Sequence, residues 1–128
     1  MTGTSRKSQR VVLLVEDDED LRRLFRAALS LDGFIVDEAG DGLNALRRIE
    51  QRRPDVIVLD LGLPAVDGLA VQREIAGSAL TREIPIVVVT ASTADLGNLG
   101  VFCILRKPVT PDELVAMVHR CLQTCAPS

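Results

Sequence analysis

The chain contains no tryptophan and no tyrosine, and its aromatic complement is three phenylalanines. A core this poor in rings has to be assembled from Val, Leu, Ile and Ala, in short runs such as Val11–Val15, Val56–Leu59 and Ile86–Val89. Runs of that length are far below the ~20 apolar residues that a membrane-spanning helix needs, so no membrane segment is expected. Residues 1–10 are polar and basic and lack the apolar stretch of a signal peptide, which leads to the expectation of a cytoplasmic protein. Cysteine occurs three times, at Cys103, Cys121 and Cys125, an odd count without a CxxC pair. That argues against a disulfide framework and against a thiolate zinc site, and leaves free thiols. The single histidine, His119, has no second His or Cys at metal-binding spacing and reads as a surface or partly buried residue. An excess of positive charge is also missing: 15 basic residues face 18 acidic ones, for a net charge of −3. Such a balance gives no general attraction to nucleic acid, so direct DNA binding is not expected.

What is present is ordinary globular composition, 47% hydrophobic and 26% charged, in 128 residues, the size of one compact domain. The expected organisation is a flexible N-terminal tail at 1–10, a single domain at 11–123 and a short C-terminal tail at 124–128. Val11–Val15 is apolar throughout, as in a strand buried on both faces. From Glu19 to Leu31 the period changes: Leu21, Leu24, Phe25, Ala28 and Leu29 recur at helical spacing while Arg22, Arg23 and Arg26 take the other positions. Strands are then expected at Phe34–Ala39, Val56–Leu59, Ile86–Val89 and Phe102–Leu105. Helices are expected at Gly42–Gln51, with Leu43, Leu46 and Ile49 on one side, at Leu69–Ala76, with Leu69, Val71 and Ile75 inward, and at Asp112–Leu122. Strands alternating with helices build an α/β doubly wound parallel sheet with helices on both faces.

Ligands of such sheets bind outside the carboxyl ends of the strands. The residues that follow the apolar runs are Glu16-Asp17-Asp18, Asp60, Thr90-Ala91 and Arg106-Lys107-Pro108. Several carboxylates, a hydroxyl and an ammonium should therefore meet at one edge. Carboxylates packed together repel unless a cation joins them or some are protonated. An all-oxygen donor set favours Mg²⁺ over zinc or copper, and a few carboxylates with waters suit phosphate chemistry. A carboxylate nucleophile beside a metal and a lysine can form an aspartyl phosphate.

Val15-Glu16-Asp17-Asp18, the stretch from Leu59 and Asp60 through Gly62 and Pro64 to Asp67-Gly68, Val89-Thr90-Ala91 and Lys107-Pro108 resemble, in order and over almost the whole chain, the four motifs of response-regulator receivers. The resemblance implies a flavodoxin-like five-stranded sheet in the order 2-1-3-4-5. It implies a stand-alone phosphoacceptor switch rather than an enzyme, with at most Mg²⁺-dependent self-phosphorylation and self-dephosphorylation. Asp60 would take the phosphoryl group from a sensor histidine kinase or a histidine phosphotransfer protein. Asp17 and Asp60 would bind Mg²⁺ with the backbone carbonyl of Gly62, and Glu16 would act through a water; Mn²⁺ would satisfy the same ligands. Thr90 would bond the phosphate, Ala91 would leave space for it, and Lys107, before a cis proline at Pro108, would pair with it. Asp18, Glu19 and Asp20 would serve the start of the helix. The output would be altered binding to another protein. Two departures stand out. Ser92–Val101, with Gly97, Asn98 and Gly100, predicts a fourth helix that is shortened or missing, and Ile104 occupies a position that is often aromatic in the family.

Other classes of protein make different demands on the same positions. A haloacid-dehalogenase-type phosphatase needs a second Asp two residues after the nucleophile, where Gly62 stands. A flavodoxin-like cofactor binder needs Ser, Thr and Gly after Val15, where acids stand. A pseudo-receiver acting as a phosphorylation-independent docking module could retain every one of these residues.

Overall fold

The computed structural model describes residues 9–61, 68–79, 81–91 and 103–125. Five strands, β1 (Val11–Val15), β2 (Ile35–Ala39), β3 (Val56–Asp60), β4 (Ile86–Thr90) and β5 (Cys103–Arg106), form one parallel sheet in the order β2-β1-β3-β4-β5. Among the described residues four helices join them: α1 (Glu19–Leu31), α2 (Gly42–Gln51), α3 (Gly68–Gly77) and α4 (Pro111–Cys125).

Alternation along the central strands divides the interior into two layers. Val12 and Leu14, Val56 and Val58, and Val87 and Val89 pack with Phe25 and Leu29 of α1 and Leu114, Val118 and Cys121 of α4. Leu13 and Val15, Ile57 and Leu59, and Ile86 and Val88 pack on the other side with Ala45 of α2 and Val71 and Ile75 of α3. A strand buried on both faces must be apolar at every position, which is why these three segments read as unbroken hydrophobic runs. The sheet carries the expected order and the doubly wound arrangement.

Side chains set the ends of the helices. Asp18 caps α1 by accepting from the N–H of Leu21 at 2.9 Å, and Asp41 caps α2 by accepting from Asn44 at 2.8 Å; both satisfy amides that have no helical partner. At the start of α4, the N–H of Thr110 donates to Glu113 Oε1 at 2.8 Å and the N–H of Glu113 donates to Thr110 Oγ1 at 3.1 Å, a reciprocal capping box. Helix α1 closes where Gly33 takes φ +100° and the N–H of Phe34 reaches back to the carbonyl of Leu29 at 3.1 Å, a left-handed turn suited to glycine.

Several expectations are corrected. Strand β2 begins at Ile35 because Phe34 is still engaged by the end of α1. Asp60 and Thr90 are the last residues of β3 and β4, where they pair with Val89 and Arg106, rather than the first residues after the strands. Leu24 and Leu43 are 50% and 53% exposed instead of inward, since each lies at the edge of its helix's apolar stripe. Helix α4 starts at Pro111, where a proline's missing N–H costs nothing, and runs through Cys125, three residues beyond Leu122. The Ser92–Val101 segment, Gly62 and the side chain of Leu69 lie outside the described residues, so the expectation for the fourth helix concerns residues not described. Among the described residues no helix is long and apolar enough to cross a membrane.

Candidate functional site

The parallel arrangement puts the carboxyl ends of all five strands on one edge. Glu16 follows β1, with its N–H donating to the carbonyl of Ala39 at 3.0 Å. Asp60 ends β3, Thr90 ends β4, and Lys107 follows β5, its N–H donating to the carbonyl of Thr90 at 2.8 Å. Glu16, Asp60 and Thr90 are all but removed from solvent, whereas Asp17 is exposed. The peptide bond between Lys107 and Pro108 is cis, as the motif implied.

Lys107 Nζ lies 3.2 Å from Asp60 Oδ2 and 3.6 Å from Glu16 Oε1. One ammonium therefore serves two buried carboxylates that come from different strands. Glu16, Asp17 and Asp60 each present a carboxylate oxygen within 4.8 Å of the others, and this cluster could hold a metal ion. Burial pushes the Glu16 carboxyl up to about 7, helped by the neighbouring charge of Asp60 and opposed by the Asp18 N–H at 3.1 Å and by Lys107. Burial also works to depress Lys107, but Glu16 and Asp60, with Asp17 beyond them, outweigh it and hold the ammonium above its ordinary value. Three acids with one lysine leave uncompensated negative charge, the condition a divalent cation with oxygen ligands relieves.

The expected residues Glu16, Asp17, Asp60, Thr90 and Lys107 are thus brought to one edge, and Gly62 lies outside the described residues. Asp18, Glu19 and Asp20 stand at the cap and first turn of α1, as expected. His119 is half exposed on α4, where it hydrogen-bonds Asp32 and tilts against Phe34 at 5.2 Å between ring centroids. Cys103 and Cys121 are not joined in a disulfide, and Ile104 is partly buried against the α2–α3 layer. Sequence reasoning missed Arg22. It read as part of the polar face of α1, yet its Nη1 donates to the backbone carbonyl of Glu16 at 2.7 Å. Nothing in local spacing signals a side chain that turns back along its own helix toward the preceding loop.

A doubly wound sheet carrying acids at the ends of its first and third strands, a hydroxyl at the fourth and a lysine after the fifth defines a receiver-type switch domain. The chain belongs to the response regulator receiver domain family, whose model matches residues 12–119. Response regulator MprA of Mycobacterium tuberculosis (strain ATCC 25618 / H37Rv) is 36% identical over 121 residues, covering 91% of this chain and 52% of that protein. The chain spans about half the length of the curated relatives it matches. Among solved structures, a sensor protein from Polaromonas sp. JS666 superposes with a TM-score of 0.84 at 30% identity, covering 91% of this chain and 98% of that one. The chemotaxis response regulator CheY4 of Vibrio cholerae superposes with a TM-score of 0.81 at 26% identity, covering 88% and 98%. Receivers are the signalling phosphoacceptors of two-component systems and are normally phosphorylated by a histidine kinase. Membership favours that role over the docking-module alternative.

Proposed function

We propose that Asp60 is the phosphoacceptor of a His-to-Asp phosphorelay, within a switching unit spanning residues 11–123, and that Mg²⁺ is the cation of the acidic cluster. The observation that carries the reading is the Lys107 ammonium 3.2 Å from Asp60 Oδ2, in a pocket shared with Glu16 and Asp17. An Asp60 oxygen attacks the phosphorus of a phosphohistidine on a sensor kinase or phosphotransfer protein. The P–O bond forms as the P–N bond breaks, and its electron pair leaves with the imidazole.

Asp17 and Asp60, with the carbonyl of Gly62, would hold the metal directly, and buried Glu16 would hold one of its waters. Mn²⁺ would satisfy the same oxygens. The bound cation supplies neutralisation of the phosphoryl oxygens. Lys107 exchanges its contact with Asp60 Oδ2 for a phosphoryl oxygen, a point charge suited to that task. The Thr90 hydroxyl bonds another oxygen, and Ala91 leaves room beside it. Aspartyl phosphate then biases a two-state equilibrium through Thr90 and the residues after it, and a protein target reads the result. Catalysis by the chain is limited to gaining and losing its own phosphoryl group. With a histidine kinase as donor, the reaction would take place in the cytoplasm.

The test is intact mass after incubation with Mg²⁺ and a small-molecule phosphodonor. Wild type should gain one phosphoryl group, and should not when a chelator removes the metal; Asp60→Asn should gain none. Equal gain by Asp60→Asn would move the acceptor elsewhere, and no gain by wild type would return the protein to the docking class.

A further inference from the structure

Arg22 lies one turn into α1, among the residues that form the helix's charged face, yet its side chain is only 20% exposed. Its guanidinium makes two separate contacts. Nη1 donates to the backbone carbonyl of Glu16 at 2.7 Å, and Nε donates to Glu38 Oε1 on β2 at 3.3 Å. Glu38 is itself held on two sides: Arg26 Nε meets its other carboxylate oxygen at 3.3 Å, and Arg48 Nε donates to its backbone carbonyl at 3.2 Å. The Glu16 N–H meanwhile donates to Ala39 at 3.0 Å. The backbone of Glu16 is consequently tied from both ends to the last two residues of β2. Gly40 runs beside the guanidinium, close enough that an added Cβ would meet Nη1 at 3.4 Å.

The carbonyl that Arg22 grips belongs to the peptide joining Glu16 to Asp17, so its direction sets the plane from which both acids project. A planar guanidinium presents its donors in a rigid fork that fixes the angle between two acceptors, whereas a lysine offers a rotatable point charge. Groups that orient metal ligands commonly change affinity when lost, although they never touch the ion. We propose that Arg22, anchored by Glu38, is a positioning residue that sets the Glu16–Asp17 peptide in the geometry required to bind the divalent cation. The proposal rests on the reading of this pocket as a Mg²⁺-dependent phosphoacceptor site.

Charge alone makes the opposite prediction. A cation beside an acidic pocket repels Mg²⁺, so an Arg22 that acts only as a charge would, when removed, let metal bind more tightly. The experiment is calorimetric titration of the metal-free protein with MgCl₂, since a chain without Trp or Tyr offers no such fluorescence, together with thermal midpoints in chelator. Arg22→Lys keeps the charge and loses the fork, Arg22→Met loses both, and Arg26→Gln removes a charge that touches Glu38 but not Glu16. Positioning predicts Mg²⁺ affinity about tenfold weaker in both Arg22 variants, affinity unchanged or tighter in Arg26→Gln, and phosphorylation by a small-molecule donor restored toward the wild-type rate at saturating Mg²⁺.

Wild-type affinity in Arg22→Lys, whether or not its midpoint falls, would overturn the proposal, as would tighter binding in Arg22→Met. If Arg22→Met does not fold, Arg22→Lys decides alone. Wild type that binds no Mg²⁺ and gains no phosphoryl group would instead overturn the functional reading itself, and this proposal with it. Wild type that does both while Arg22→Lys matches it would remove only the proposal.

Discussion

The three central strands and the two edge strands contribute differently to this protein. β3 and β4 are buried at all five positions and β1 at four, whereas β2 is buried only at Ala39 and β5 nowhere along its four residues. The central strands deliver the acidic groups Glu16 and Asp60 and the hydroxyl of Thr90, each held in place by packing on both faces. The edges deliver what holds them: Lys107 follows β5 and meets Asp60, and Glu38 on β2 anchors Arg22 of α1, which grips the Glu16 carbonyl. On the proposed reading, the acceptor thus stands in the most deeply packed part of the sheet, and the cation that faces it comes from its less buried margin.

Core truncation should break that comparison most visibly if it is wrong. Leu14 on β1 is fully buried, while Leu105 on β5 is partly exposed. Leu14→Ala should cost about 3 kcal/mol, within the range for a buried leucine that leaves a cavity, and Leu105→Ala roughly half of that or less. Urea denaturation of both variants checks it, and equal losses would mean that β5 is as integral to the core as β1. A smaller effect separates acceptor from cation. Lys107→Met should slow phosphorylation about a hundredfold, near 2.7 kcal/mol, the scale for losing one preorganised charge contact to a transition state. Time courses of intact mass with a small-molecule donor measure it. A rate within a factor of two of wild type would leave Lys107 as only a neutralising partner of Asp60 and Glu16.

The same division explains what could be read from the residues alone. Strands buried on both faces announce themselves as unbroken apolar runs, and the polar residue ending each run is conspicuous, so Glu16, Asp60 and Thr90 were identifiable from the order of letters. Glu16 follows β1 as expected, but Asp60 and Thr90 are the last residues of their strands rather than the first after them, because a ladder continues through a polar residue when its backbone still finds a partner, as Asp60 does with Val89. Periodicity gave the helices but not the limits of their buried stripes, and Leu24 and Leu43 fell outside them. Contacts between distant segments were not legible. Arg22 meets Glu38 across 16 residues, and His119 meets Asp32 across 87; only the folded chain brings either pair together.

The smallest expected effect lies at the outer edge, where Arg52 after α2 clasps Asp37 on β2 with two bonds, Nε to Oδ2 at 3.0 Å and Nη2 to Oδ1 at 2.6 Å. The hydrogen bonds from Arg52 hold the Asp37 carboxyl below its ordinary value against a weaker opposing effect of burial. A carboxyl depressed in the folded state binds fewer protons there than in the unfolded chain. Its contribution is therefore fully present above the ordinary aspartate value and is lost as pH falls through the lowered one. Arg52 is half exposed, so water and salt screen the pair and the gain is modest. Urea midpoints of wild type and Arg52→Gln should differ slightly at neutral pH and converge as the solution is made more acid, with the difference shrinking in high salt. Midpoints that remain separated by a constant amount through the acid range would show that Arg52 acts through packing of its stem along the edge strand, and that the rim of this sheet, like its centre, is held by burial rather than by charge.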